Sequence, residues 1–75
     1  MTTYIADAHP TTAAFGRRVK NELLLQGMSL RELARRMGEE PSSVSLKLAG
    51  KRPASLDWSR RAASELNVPL SALLP

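Results

Sequence analysis

Cysteine is absent from this chain of 75 residues, and histidine occurs once. Disulfide bonds and thiolate metal sites are therefore excluded, and a reducing compartment suits the sequence. Aromatic residues are scarce as well, because Tyr4, Phe15 and Trp58 are the whole set. These three are too few for a surface that stacks single-stranded bases.

Long apolar runs are also missing. No stretch approaches the ~20 apolar residues of a membrane span, and the opening MTTYIADAHP lacks the features of a signal peptide. We therefore expect a cytoplasmic protein. The single histidine, His9, has no second metal ligand in view, and neither Asp7 nor Asp57 has a reason to orient it. We expect no metal site, no cofactor and no enzymatic activity.

Basic residues are concentrated in two blocks. Residues 17–36 contain six basic and two acidic side chains, and residues 51–61 contain four and one. Residues 37–50, between the blocks, carry a net charge of −1. This distribution suits phosphate contacts on both sides of a nucleic-acid groove. Surface charge that only keeps a small domain soluble could have the same distribution. The pattern of helices therefore has to decide between nucleic-acid binding and solubility.

A short amphipathic helix is predicted over residues 30–37. Ser29 and Glu32 form an S-x-x-E capping box, in which each side chain accepts a hydrogen bond from the other residue's backbone N–H. Gly38 then ends the helix. The apolar positions follow helical spacing; they are Leu30, Leu33, Ala34 and Met37.

A second short helix is predicted over residues 41–49. Pro41 suits its first turn, because the missing N–H has no helical partner there. Val44 and Leu48 lie one turn apart on the inward face, and Gly50 ends the helix. Two helices joined by a tight turn containing glycine are typical of the helix-turn-helix unit, whose second helix can enter a DNA major groove.

Three further helices are predicted around this unit. The first is capped by Thr11 or Thr12 and runs to about Gln26, the fourth is capped by Ser55, and a short last helix starts at Pro69. Their expected inward residues are Phe15, Val19, Leu23 and the adjacent Leu24; Leu56, Ala62, Ala63 and Leu66; and Leu70, Leu73 and Leu74.

The pattern resembles the lambda-repressor-like, Cro-type (XRE) helix-turn-helix family. The similarity runs from Phe15-Gly16 through GKRPASLDW to LNVPLSALL. It implies a compact all-α, five-helix domain over residues 11–75, after a flexible N-terminal arm over residues 1–10. It also implies a sequence-specific double-stranded DNA-binding regulator, usually a homodimer and often a transcriptional repressor of phages, plasmids or bacteria.

Four side chains of the third helix are expected to face DNA bases by this resemblance. At ~100° per residue, Ser42, Ser43 and Leu46 lie opposite the inward face, with Ser45 at its edge. Many relatives carry Gln, Arg or Asn here, and this chain has none. We therefore expect part of the discrimination to come from DNA shape or from the arm. Alternatively, the serines only keep an exposed helix soluble.

DNA-backbone contacts are expected from Ser29, Arg31, Lys47, Lys51 and Arg52. Lys51 and Arg52 follow the third helix, where the family commonly binds phosphate. Ser29 opens a helix N-terminus that favours anions, and Arg31 lies beside it. Lys47 can reach a phosphate or Glu40.

Several neighbouring side chains have two interpretations. Glu39 and Glu40 precede the third helix, where a negative charge is stabilised by the positive end of the helix dipole. A glutamate can also accept a hydrogen bond from cytosine. Trp58 either covers Leu56 or donates its indole N–H to a phosphate. Arg35 can pair with Glu39, and Arg61 is expected on the solvated surface.

A dimer surface is expected at Val68, Leu70, Leu73 and Leu74, because these exceed what a short closing helix needs for its own packing. A two-fold dimer would read a palindromic operator. The alternative function is a protein-interaction module of the same fold, antitoxin-like or regulator-binding, with weak or no DNA binding.

Overall fold

Four α-helices and a closing 3-10 turn form the part of the chain that the structure, a computed structural model, describes: residues 10–74. The helices are α1 (Pro10–Gln26), α2 (Leu30–Met37), α3 (Pro41–Leu48) and α4 (Leu56–Leu66), and the 3-10 turn is Leu70–Ala72. The predicted all-α helix-turn-helix class is confirmed. The expected fifth helix is a single turn, because Pro69 precedes it in extended conformation and only i→i+3 bonds close it.

The start of α1 differs from the prediction. Neither Thr11 nor Thr12 begins the helix, because Pro10 is already helical. Proline fits the first turn, where its missing N–H has no partner. Pro10, the last residue of the expected arm, therefore belongs to α1. The remainder of the arm, including His9, lies outside the described residues.

Residues in the left-handed conformation end α2 and α4. Gly38 has φ 68°, and its N–H and that of Glu39 bond back to the carbonyls of Arg35 and Ala34. These two bonds form a Schellman motif. Asn67, at φ 60°, ends α4 in the same way. The end at Gly38 was predicted from the sequence.

One hydrophobic core joins the helices. Two leucines expected to face inward are exposed: Leu24 is 81% exposed and Leu56 is 56% exposed. Leu24 lies one ~100° step from the buried Leu23, which turns it off the inner face. In α4, Trp58 rather than Leu56 supplies the buried side chain of the first turn. The core residues are Phe15, Val19, Leu23, Leu33, Ala34, Met37, Val44, Leu48, Trp58, Ala62, Ala63, Leu66 and Leu73.

Two contacts fix α1 against the rest of the domain. At Gly16, a Cβ would lie 1.7 Å from the carbonyl oxygen of Leu48, so α1 and α3 can touch only because this residue has no side chain. At the other end of α1, Gln26 Nε2 donates to the carbonyl oxygen of Leu66 at 2.7 Å. That carbonyl is among those left without a helical partner at the end of α4.

None of the helices within residues 10–74 is long and apolar enough to cross a membrane.

Candidate nucleic-acid interface

Buried apolar side chains hold α2 and α3 together across the turn between them. Leu33, Ala34 and Met37 of α2 are buried, as are Val44 and Leu48 of α3. The apolar spacing read from the sequence therefore places both inward faces correctly. With these faces in the core, the opposite side of α3 is left towards solvent.

The turn is also bonded to α4. Arg61 Nη2 donates to the backbone oxygen of Met37 at 2.7 Å, where α2 ends. Arg61 is exposed, as expected for a surface residue, but it also makes this bond. Its hydrogen bond satisfies a carbonyl at a helix end and links the turn between α2 and α3 to α4.

The capping box at the start of α2 is only half formed. Ser29 Oγ accepts from the N–H of Glu32 at 3.0 Å, as predicted. The Glu32 carboxylate turns instead to the guanidinium groups of Arg35 and Arg36, with Nε–oxygen distances of 3.0 Å for both. Hydrogen bonds from Arg35 and then Arg36 lower the pKa of Glu32 from 4.5 to about 2. Arg35 pairs with Glu32, and its alternative partner Glu39 is bonded elsewhere.

The outward face of α3 carries the four predicted base-contacting residues. Ser42 and Ser45 are exposed, and Ser43 and Leu46 are half-buried. Ser43 Oγ accepts from Arg52 Nη1 at 3.3 Å. The expected base-reading face and the expected phosphate-binding loop are therefore joined at Ser43.

The loop after α3 turns sharply and presents two cations. The N–H of Lys51 bonds to the carbonyl of Leu46 at 2.9 Å, and the N–H of Gly50 bonds to Lys47 at 3.1 Å. These are again the bonds of a Schellman motif. Lys51 and Arg52 leave this turn exposed to solvent, beside the outward face of α3.

Four side chains around the turn form what we call the Glu39 cluster: Glu39, Lys47, Trp58 and Arg61. Trp58 Nε1 donates to Glu39 Oε2 at 2.9 Å. Lys47 Nζ lies 3.5 Å from Glu39 Oε1 and 4.8 Å from the centroid of the Trp58 ring. Arg61 Nη1 lies 3.9 Å from Glu39 Oε2. A carboxylate of the turn is thus enclosed by groups from α3 and α4.

This cluster corrects three expectations. Lys47 pairs with Glu39 and not with Glu40. The indole N–H of Trp58 is bonded to Glu39, and the ring leaves Leu56 exposed. Glu40 is the N-cap residue of α3 but makes no side-chain capping bond. Sequence spacing could not show the cluster, because Glu39 and Trp58 lie 19 residues apart.

Comparison with known structures agrees with this geometry. The restriction-modification controller protein C.AhdI from Aeromonas hydrophila is 27% identical, with a TM-score of 0.76 over 83% of this chain and 94% of its own. A hypothetical transcription factor, NHTF, from Neisseria has a TM-score of 0.81 at 23% identity over 100% of this chain and 86% of its own. The chain has an XRE-like helix-turn-helix fold.

The XRE-like fold also occurs inside a longer protein. Hydroxypropylphosphonic acid epoxidase from S. wedmorenis is 26% identical, with a TM-score of 0.78 over 87% of this chain. The chain spans only 35% of the epoxidase's length, and similarly about a third of the related HppE structures. The likeness therefore concerns one part of those enzymes. No protein-family model matches the sequence, and no curated protein is significantly similar to it.

The remaining predicted site residues lie at the start of α2 and in the C-terminal segment after α4. Ser29 and Arg31 are exposed at the start of α2, on either side of Leu30, which is partly buried. At the C-terminal end, Leu73 is buried in its own chain, and Val68 and Leu70 are half-buried. Leu74 is 40% exposed. Leu73 therefore contributes to the core of its own chain rather than to an exposed dimer surface.

Acidic and histidine side chains do not gather into a potential metal site within residues 10–74.

Proposed function

We propose that this XRE-like protein is a sequence-specific double-stranded DNA-binding transcriptional regulator, acting as a repressor, with α3 in the major groove. The observation that carries the proposal is the exposed face of α3 with Lys51 and Arg52 directly beside it. A recognition helix needs a face free of core packing and cations that reach the flanking phosphates. The likeness to a restriction-modification controller over nearly its whole length also favours a regulator over an enzyme.

Ser42, Ser43, Ser45 and Leu46 are the proposed base contacts. A serine hydroxyl can donate to or accept from most base edges, whereas Leu46 can only contact a thymine methyl. None of them can form the bidentate contact of an arginine or glutamine. We therefore propose weak direct readout, with DNA shape supplying part of the specificity.

The proposed backbone contacts are Ser29, Arg31, Lys51 and Arg52. Ser29 and the first N–H groups of α2 would bind one phosphate at a helix N-terminus, with Arg31 beside them. Arg52 keeps guanidinium N–H groups free after its bond to Ser43. Lys47 is not among these contacts, because Glu39 already holds its ammonium group.

A homodimer on a palindromic operator completes the proposal. With Leu73 in the core, the dimer surface consists of Val68, Leu70 and Leu74. Two-fold symmetry would place two copies of α3 about 34–36 Å apart, one duplex turn. Such a regulator would act in the cytoplasm of a bacterium, on bacterial, plasmid or phage genes.

The test is the salt dependence of duplex binding. Lys51→Ala combined with Arg52→Ala should weaken binding to specific and random duplexes alike, because phosphate contacts carry no sequence information. The slope of log K against log salt should become shallower by up to ~0.9 for each phosphate that the variant no longer binds. Fluorescence anisotropy over a salt series measures both effects.

Arg17→Ala combined with Arg18→Ala is the matched control. It removes the same charge from exposed positions on α1, and it should leave the slope nearly unchanged. Equal slopes for the wild type and the Lys51/Arg52 variant would place the loop away from DNA. Absence of any duplex binding by the wild type would favour the protein-interaction alternative.

A further inference from the structure

We infer that Glu39 is a positioning residue that limits sequence-independent affinity for DNA: it holds the ammonium group of Lys47 away from the duplex, so that α3 offers a neutral face to the groove. This inference rests on the DNA-binding function proposed above. It adds a role for an acidic side chain that touches no base and no phosphate. The role follows from where Lys47 lies and from what holds it there.

Lys47 occupies a position on α3 from which a free cation would reach DNA. It follows Ser43 by four residues, so the two lie within about 40° on the helix surface, one turn apart. Ser43 is on the proposed base-reading face and is bonded to Arg52 of the phosphate-binding loop. An unrestrained lysine at this edge would therefore add a contact of the sequence-independent, electrostatic kind.

Two attractions instead draw Lys47 inward. Its Nζ lies 3.5 Å from Glu39 Oε1 and 4.8 Å from the centroid of the Trp58 ring, and the side chain is only 18% exposed. The carboxylate supplies a Coulombic attraction in a partly desolvated place, and the ring supplies a cation–π contact. The indole cannot turn away freely, because its Nε1 donates to Glu39 Oε2.

Lys47 is attracted to Glu39 by charge and is not bound to it by a directional hydrogen bond. Glu39 Oε1 is buried and accepts no hydrogen bond, although Nζ is within ion-pair distance of it. Removing the charge of Glu39 should therefore release Lys47, even when the replacement side chain keeps an oxygen for the Trp58 N–H. Glu39→Gln meets that condition.

Withholding one phosphate-binding cation weakens the binding of random and of specific DNA alike. Nonspecific binding comes essentially from phosphate contacts, whereas specific binding also includes base and shape readout. A lysine kept from the backbone lowers nonspecific affinity without removing a base contact. The restraint therefore lowers the sequence-independent part of the affinity for every duplex and leaves base and shape readout in place.

Glu39→Gln and Glu40→Gln provide a matched comparison. Both remove one negative charge at the start of α3, but Glu40 is exposed and does not cap the helix. For a short random-sequence duplex, Glu39→Gln should steepen the slope of log K against log salt by up to ~0.9 relative to Glu40→Gln. At 0.1 M salt, this slope corresponds to a gain in affinity of up to roughly eightfold. Equal slopes for the two variants would overturn the inference.

Lys47→Met tests the same point without disturbing Glu39. In the wild-type background it should leave the salt slope unchanged, because Lys47 makes no phosphate contact there. In the Glu39→Gln background it should cancel the steeper slope. A slope that becomes shallower by ~0.9 in the single Lys47→Met variant would show that Lys47 already binds DNA, and would overturn the inference. This single variant decides the question even if Glu39→Gln fails to fold.

The wild-type measurement separates this inference from the proposed function. Salt-dependent duplex binding by the wild type, with no difference between Glu39→Gln and Glu40→Gln, would reject only the role of Glu39. Failure of the wild type to bind any duplex at low salt would reject the DNA-binding function and the inference together.

Discussion

At Gly16, a single hydrogen atom decides how closely two helices approach. An added Cβ would meet the backbone oxygen of Leu48 at 1.7 Å, well inside any van der Waals contact. Backbone at the end of α3 cannot yield as a flexible side chain can. The position of α3 against α1 therefore depends on this residue, and with it the orientation of the outward face of α3.

Gly16→Ala should destabilise the domain, although alanine favours helix more than glycine by about 1 kcal/mol. The clash should dominate and cost about 3 kcal/mol, the upper end for overpacking. Gly27→Ala is the control, because its Cβ would meet nothing within 4 Å. Its cost of about 1–2 kcal/mol comes only from the left-handed φ of 65°. Urea unfolding measures both, and a Gly16 variant as stable as wild type would contradict the close approach.

Burial that follows from local sequence spacing could be predicted. Contacts between residues far apart in the sequence could not. The buried Val44 and Leu48 were assigned correctly from a spacing of four. By contrast, the bond of Glu39 to Trp58 spans 19 residues and that of Gln26 to Leu66 spans 40. Neither leaves a periodic signal, because each depends on how helices pack.

At the scale of elements, the start of α2 combines a cap with an ion-pair cluster. Ser29 caps the helix, and Glu32 binds Arg35 and Arg36 on its solvent-facing side. The guanidinium groups hold the pKa of Glu32 at about 2, below its ordinary 4.5. The cluster is largely exposed, so its contribution to stability is small and salt-sensitive.

The lowered pKa of Glu32 determines how the stability of the fold changes with pH. Glu32 in its folded state binds its proton more weakly than in the unfolded chain, so its stabilisation is present above pH 4.5 and is lost as pH falls towards 2. Glu32→Gln should therefore lower Tm at neutral pH, and the difference from wild type should vanish near pH 2. In an NMR titration, Arg35→Gln should move the Glu32 midpoint upwards. An ordinary wild-type midpoint would contradict the cluster.

Element boundaries followed from sequence where end signals were local. Residues 30–37 were predicted for α2 and observed, since Ser29 and Gly38 mark both ends. The closing segment was predicted as a helix from its leucines, but Pro69 and the short span after it permit only one 3-10 turn. Apolar content alone does not distinguish a turn packed on a core from a helix.

At the scale of the whole molecule, the C-terminal segment carries the proposed surface for a second copy. Leu74 lies at the end of the domain next to the half-buried Leu70. Leu74→Asp should weaken self-association and operator binding together, while helical content stays nearly unchanged. Leu24→Asp makes the same substitution at an exposed position on α1 and should do neither. A wild type that sediments as a monomer both free and on operator DNA would rule out the dimer.

Selection from a random duplex library tests the central claim most directly. If α3 reads the major groove in a two-fold dimer, wild-type protein should enrich a palindromic site whose half-sites are centred about one duplex turn apart. Ser42→Ala with Ser43→Ala should relax preference at one or two base pairs of each half-site. If the wild type binds DNA but a library selected at physiological salt shows no enriched sequence, that result would contradict sequence-specific DNA binding.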